Sequence, residues 1–293
     1  MKRQALSAKG IPWWALLHYS RLLLTFGAMA MTLATSQIVF HHIPWPAIAI
    51  AGLGTHVVYS TDNLLDWRHE RHLLHEILPY RRAYLIWYHV TVPLSLIIIL
   101  LITVKRGSDF GLLLGGLVLV SALIIFIARQ PQRWLDQAVY YWTERLLVTL
   151  TWALVVVLVP MWYARQMWSL QVGLALAFIW MLSWVMGVVW RFTSVTAVYQ
   201  QINLHYQPPT NETKIIRIML AVSFIAFLQA IIDAVVGFFP AIHLSIALVP
   251  AFCVAFLWKW PASYQAPLVY CSLFISLLIA TLLMATGLHL WAG

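Results

Sequence analysis

Charged residues are scarce in this chain of 293 residues. They make up 9% of it, while apolar residues make up 62%. A soluble domain typically has about 25% charged and about 45 to 50% apolar residues. The composition therefore excludes an ordinary soluble protein and predicts an integral membrane protein. Because nearly all of the chain is needed for spanning segments, residues 1–293 are expected to form a single transmembrane helical domain.

Cysteine is also scarce, and this excludes a disulfide framework or a cysteine metal site. The two cysteines, Cys253 and Cys271, lie in apolar runs and are expected to be small core residues. The basic segment from Met1 to Ile11 is followed by an apolar run without a convincing small-residue cleavage site, so no cleavable signal peptide is expected. No internal repeat and no low-complexity segment is evident.

Acidic residues number only nine, against eighteen lysines and arginines, and the formal net charge is +9. In a soluble protein such an excess would suggest a nucleic-acid partner. Here the cations lie in short connections between apolar runs, where they orient the spans in the bilayer, so no nucleic-acid partner is expected.

Apolar runs of roughly 18 to 25 residues, each long enough to span a bilayer as a helix, recur along the chain. The pattern predicts nine transmembrane helices, near residues 13–36, 44–64, 83–104, 110–128, 138–161, 168–190, 214–237, 241–258 and 268–290. Thirteen basic residues fall on the face that carries the amino terminus, and three fall on the other face (Lys105, Arg106 and Arg165). This bias predicts a cytoplasmic amino terminus, in what is expected to be a bacterial inner (cytoplasmic) membrane.

Four of the nine acids lie in one short stretch, Ser60 to Glu76, called the acidic stretch below. Asp62, Asp66 and Glu70 are spaced four residues apart, which on a helix places three carboxylates on one face beside the amide of Asn63. Three like charges repel one another, so two interpretations stay open. A hard cation such as Mg²⁺ neutralises them, or they form a solvated helix end paired with Arg68 and Arg71.

The acidic stretch resembles the first aspartate-rich motif of the UbiA superfamily of membrane prenyltransferases, N-D-x-x-D-x-x-x-D. Residues 62–70 read Asp-Asn-Leu-Leu-Asp-Trp-Arg-His-Glu, with the first pair exchanged and the last Asp replaced by Glu. Ser20-Arg21 is similar to the Arg-Pro start of the family's first span. Thr143 to Leu147, followed by Trp152-Ala153-Leu154, is similar to its fifth-span segment. Nine spans with the amino terminus inside are also family features.

The resemblance implies a UbiA-type bundle that transfers an isoprenoid chain from its diphosphate to a hydrophobic acceptor. It implies Mg²⁺ held by Asp62, Asp66 and Glu70, and catalytic roles for Asp62, Asp66 and Arg145. The implied residues for binding the diphosphate are Arg21, Asn63, Arg68, Arg71, Arg191 and Lys214. Aromatic side chains at the corresponding depth would line the cavity for the isoprenoid (Tyr59, Tyr140, Tyr141 and Tyr199).

The chain also departs from the family. A second aspartate-rich motif is expected between spans six and seven, but Arg191 to Gln201 contains no acid. Ser194, Thr196 and Gln200 can bind oxygen or water there without supplying negative charge. A second hypothesis is therefore a catalytically degenerate relative, kept as a lipid- or pigment-binding membrane subunit of a larger complex.

Other polar residues are given structural interpretations beside functional ones. Asp233, an acid inside span seven, is expected to have a hydrogen-bonding role. Glu144 and Arg145 are each expected either to pair with a partner on another span or to belong to a site. The spacing of His69, His72 and His75 on one helix face could suit a transition metal. Most of the sixteen tryptophans lie near span ends, as an interfacial belt does.

Overall fold

The computed structural model describes residues 22–40, 42–69, 78–129, 137–185 and 212–238, and within these ranges the chain is helical between short connections. Seven helices are present there, and no strand. They are α1 (Leu22–Phe40), α2 (Trp45–His69), α3 (Leu78–Arg106), α4 (Ser108–Arg129), α5 (Gln137–Tyr163), α6 (Leu170–Val185) and α7 (Glu212–Val236).

These helices coincide with the first seven predicted spans, so the prediction of an all-helical fold is confirmed for this part of the chain. The largest differences flank one connection: α3 begins at Leu78 rather than near residue 83, and α2 continues to His69 rather than stopping near residue 64. The last turns of α2 are polar. A prediction from apolar periodicity alone therefore ends this helix too early. The eighth and ninth predicted spans lie outside the described residues.

Two segments are long and apolar enough to cross a membrane, Leu85–Arg106 in α3 and Leu146–Tyr163 in α5. Shorter apolar segments occupy Ser108–Leu123, Leu170–Val185 and Leu220–Val236. The outer faces of α3 and α4 expose large aliphatic side chains, including Leu101, Val104 and Leu112. Several threonine and serine side chains of α1 are buried instead, as in Thr32 and Ser36. Apolar outer faces around a partly polar interior are the arrangement that a lipid environment favours.

Tight turns reverse the chain between successive helices. Gly107 alone separates α3 from α4, with a φ of 111° that favours glycine. At the end of α5, the Gln166 N–H donates to Met161 O and the Arg165 N–H donates to Trp162 O. This is a Schellman motif, and Arg165 occupies its left-handed position with a φ of 55°. The turns make α3 antiparallel to α4 and place α5 and α6 side by side.

The largest core cluster lies between α1, α5, α6 and α7 and includes Leu24, Val156, Phe178 and Ala226. A second cluster joins α2 to α4 and α5 through Ala47, Ile50, Phe110 and Val159.

Helices α1 and α2 approach each other closely at Gly52. A Cβ atom built there would lie 2.4 Å from Met29 Cγ and 2.8 Å from Met29 Sδ. Glycine therefore allows Met29 to pack directly on the backbone of α2.

Candidate functional site

The carboxylate-bearing positions 62 and 66 continue the inward-facing stripe of α2. Positions on one stripe of a helix recur every three or four residues. On α2 this stripe runs through Ile48, Gly52, Thr55, Tyr59, Asp62 and Asp66. Ile48 and Thr55 are buried, and Tyr59 is partly buried against the largest core cluster. The sequence-based prediction that Asp62 and Asp66 share one helix face is therefore confirmed at the level of the backbone.

Asp62 itself is half-buried, near the end of α2 that is remote from Trp45. We call this end of the bundle the Asp62 end. A half-buried carboxylate needs a cation or hydrogen-bond donors close to it, because desolvating an unpaired charge is costly.

Helix α3 is aligned with α2 by a hydrogen bond of 2.9 Å between His56 Nε2 and Thr91 Oγ1. The helices are antiparallel, so ten residues further along α2 correspond to ten residues back along α3. Asp66 therefore lies level with Arg81 along the bundle axis. In the sequence, Arg81 and Arg82 are distinguished only as two of the thirteen basic residues that predict a cytoplasmic amino terminus. Only the His56–Thr91 contact, which no motif indicates, shows their correspondence with Asp66.

Helix α5 places Arg145 at the same end. Ala47 and Ile50 of α2 share a cluster with Val159 of α5, and the two helices pack against each other in opposite directions. Counting from these residues brings Asp62 level with residues 144–147, to within about one turn. The backbone position of Arg145, predicted as catalytic, thus lies at the depth of Asp62.

Helices α6 and α7 reach this level as well. Trp180 Nε1 donates to Leu146 O over 3.4 Å and so joins α6 to α5 one residue from Arg145. Gln229 Nε2 donates to Leu174 O over 2.9 Å and aligns α7 with α6. Counting six residues from this bond, forward along α6 and back along α7, brings Ser223 of α7 level with Trp180 of α6.

The other predicted site residues are placed less fully. Positions 63, 66, 68 and 145 lie in helices α2 and α5, and Lys214 lies in the first turn of α7, but the side chains of these residues are not among those described. Some predicted residues lie entirely outside the described residues: Arg21, Glu70, Arg71, Arg191, Ser194, Thr196, Tyr199 and Gln200. Among the described side chains, no group of three or more His, Cys, Asp and Glu residues could hold a metal ion. Of the three predicted Mg²⁺ ligands, only Asp62 belongs to that described set.

Asp233 lies at the opposite end of the bundle from Asp62. It is 1% exposed, and its Oδ2 accepts a hydrogen bond of 3.4 Å from Gln229 Nε2. The backbone oxygen of Asp233 accepts from the Phe238 N–H at 2.8 Å, which closes the end of α7. These contacts fit the predicted hydrogen-bonding role of Asp233.

Comparisons with protein-family models, curated proteins and solved structures give no match to this chain.

Proposed function

We propose that this chain is an integral membrane prenyltransferase of the UbiA type. In this proposal nine transmembrane helices place the amino terminus and the Asp62 end in the cytoplasm. The observation that carries the proposal is that separate helices bring Asp62, Arg145 and Arg81 to one end of the bundle. Positions 62 and 66 there belong to the stripe of α2 that also contains the buried Ile48 and Thr55.

The donor set at the Asp62 end fits a hard divalent cation. Two carboxylates one turn apart on the same stripe supply the oxygen ligands that Mg²⁺ prefers, and Glu70 would add a third. Bound Mg²⁺ would neutralise the diphosphate and make it a better leaving group. We therefore assign Mg²⁺ binding to Asp62, Asp66 and Glu70.

The basic positions supply the remaining charge balance. An isoprenoid diphosphate brings about three negative charges and the three acids add three more, so at least two Mg²⁺ with additional cations are needed. Arg145 and Arg81 come from α5 and α3, and Arg21, Arg68, Arg71, Arg191 and Lys214 are further proposed contacts, with Asn63 as a neutral donor. Arginine suits this role because its planar guanidinium donates two parallel hydrogen bonds to phosphate oxygens.

The apolar core beyond the acids would hold the isoprenoid chain and exclude water. Tyr59 packs there against the cluster of α1, α5, α6 and α7. In the proposed reaction the bond between the first isoprenoid carbon and the diphosphate oxygen breaks, and the electron pair leaves with the diphosphate. The acceptor forms the new bond to that carbon and loses a proton.

One observation favours a second function. The absence of any acid from Arg191 to Gln201 removes the second cluster that would share the cations. A protein without it would serve as a degenerate subunit that binds lipid or pigment in a larger membrane complex. Incubating the purified protein with labelled farnesyl diphosphate, Mg²⁺ and a membrane-lipid extract that supplies hydrophobic acceptors decides between the two. Release of diphosphate, abolished by Asp66→Ala, supports the transferase, and its absence at every Mg²⁺ concentration supports the subunit.

A further inference from the structure

Three basic residues that are far apart in the sequence meet at the end of the bundle opposite the Asp62 end. Lys105 and Arg106 lie in the last turn of α3. The guanidinium of Arg106 donates to Tyr163 O and lies 4.9 Å from the centroid of the Tyr163 ring. Arg165 follows Tyr163 by two residues, so the two Cα atoms lie within about 7 Å of each other. We call Lys105, Arg106 and Arg165 the basic cluster.

Arg106 is held in place by the end of α5. The Schellman motif there pairs Met161 O and Trp162 O with backbone N–H groups. Arg106 supplies the donor for Tyr163 O, which is the next carbonyl along the chain. The Tyr163 ring in turn packs edge-on against Phe110 of α4, with the ring centroids 5.7 Å apart. Because a guanidinium has five N–H donors, Arg106 keeps further donors for a ligand.

Carboxylates do not neutralise the basic cluster. Asp109, at the start of α4, is exposed, and its Oδ1 accepts from Ser108 Oγ over 3.5 Å. Asp233 at this end is buried and accepts from Gln229 instead. Among the described residues no ion pair joins a carboxylate to the basic cluster, and residues 239–293 contain no acid. One exposed acid beside three cations leaves an excess of positive charge, which favours an anionic ligand.

The surfaces beside the basic cluster are typical of a membrane interface. Trp162 and Trp168 are exposed at this end, and tryptophans of membrane proteins are enriched at the level of the lipid head groups. Leu101 and Val104 are 65% and 72% exposed. They share one face of α3 with Lys105, since these positions are three and four residues apart. A positively charged end thus adjoins an exposed apolar face, and an amphipathic anion fits both.

We propose that the basic cluster binds the phosphate of an anionic membrane lipid of the phosphatidylglycerol type, whose acyl chain lies along the exposed face of α3. Arginine donates parallel hydrogen bonds to phosphate oxygens. A zwitterionic lipid brings a cation of its own and therefore balances the excess charge less well. The proposal concerns the end of the bundle opposite the diphosphate site and does not depend on transferase activity.

Photoreactive lipids test the proposal on the full chain in phosphatidylcholine nanodiscs. One probe is phosphatidylglycerol and the other is phosphatidylcholine, each with the same photoreactive acyl chain. Labelling of residues 101–112, located by mass spectrometry at subsaturating probe, should be several times greater with phosphatidylglycerol.

Arg165→Gln removes one charge and leaves the contact between Arg106 and Tyr163 O in place. Labelling by phosphatidylglycerol should fall about fivefold in this variant, as expected for one basic residue near an anionic lipid. In Lys105→Gln/Arg165→Gln it should fall further, to near the level of phosphatidylcholine. Arg217→Gln is the matched control because it removes one exposed positive charge from α7 near the Asp62 end, and it should leave the labelling unchanged.

Three results would overturn the proposal. The first is equal labelling by the two lipids in the unmodified protein. The second is a double variant that keeps its labelling by phosphatidylglycerol, or that loses labelling by both lipids equally, which would indicate a structural effect. The third is complete displacement of the phosphatidylglycerol probe by inorganic phosphate, which would identify a site for free phosphate. Asp66→Ala should leave the labelling unchanged, so this proposal and the proposed function fail independently.

Discussion

His56 and Thr91 join α2 to α3 through a hydrogen bond of 2.9 Å that also fixes the tautomer of the histidine. The Thr91 hydroxyl donates to Trp87 O over 2.8 Å, so its oxygen must accept from His56 Nε2–H. Nδ1 is then the acceptor that lies 3.4 Å from Ser60 Oγ. The alignment of Arg81 with Asp66 depends on this contact.

Replacing Thr91 with valine should loosen the contact between α2 and α3. His56 is 4% exposed, so its Nε2–H would lose its acceptor in a buried position, which costs about 1 to 3 kcal/mol. We expect the free energy of unfolding in detergent to fall by that amount. Ser121→Ala is the control because the hydrogen bond from Ser121 Oγ to Leu117 O stays within α4, and it should change stability by no more than about 0.5 kcal/mol. Equal effects of the two variants would argue against the inter-helix bond.

Gly52→Ala should destabilise the packing of α1 on α2. Its new methyl group would overlap Met29 Cγ and Sδ, and overpacking of this kind typically costs about 1 to 3 kcal/mol. Gly115→Ala in α4 is the matched control, because no atom lies within 4 Å of its added Cβ. It should stabilise the helix by about 0.5 to 1 kcal/mol. Adding Met29→Ala to Gly52→Ala should recover part of the loss, and no recovery would contradict this explanation.

Arg81→Gln should weaken binding of a prenyl diphosphate if Arg81 contributes to the site from α3. Loss of a charge-assisted hydrogen bond predicts a fall in affinity of about tenfold or more. Lys105→Gln removes one positive charge from the opposite end of the same helix and should leave the affinity unchanged. Titration with labelled farnesyl diphosphate measures both variants. Similar losses in both would indicate a general charge effect and not a local contact.

The topology prediction is tested by reporter fusions on either side of α6. The distribution of basic residues predicts that a reporter placed near Pro208 reports the cytoplasm. One placed near Gln166, in the connection between α5 and α6, should report the opposite side. The reverse pattern, or the same side for both, would contradict the proposed orientation.

Helix positions could be predicted well from the sequence because apolar runs of sufficient length determine them. The end of α2 could not, since Asp62 to His69 is polar and helical at once. There the spacing of the carboxylates, and not hydropathy, correctly indicated a helix.

The composition of the candidate site was only partly predictable. Asp62 and Asp66 stand out because acids are rare in this chain, and Arg145 stands out because it lies within an apolar span. That Arg81 lies level with Asp66 along the bundle axis depends on the alignment of two helices, which the sequence of either one does not specify.

Mg²⁺-dependent binding of farnesyl diphosphate is the measurement that tests the central claim most directly. The unmodified protein should bind it with Mg²⁺ and lose binding when the metal is chelated. Asp62→Ala and Asp66→Ala should each abolish binding, whereas Asp109→Ala, which removes an exposed acid at the opposite end of the bundle, should bind normally. Binding that is absent from the unmodified protein, or that is unaffected by chelation and by Asp66→Ala, would contradict the claim that the Asp62 end is a diphosphate site.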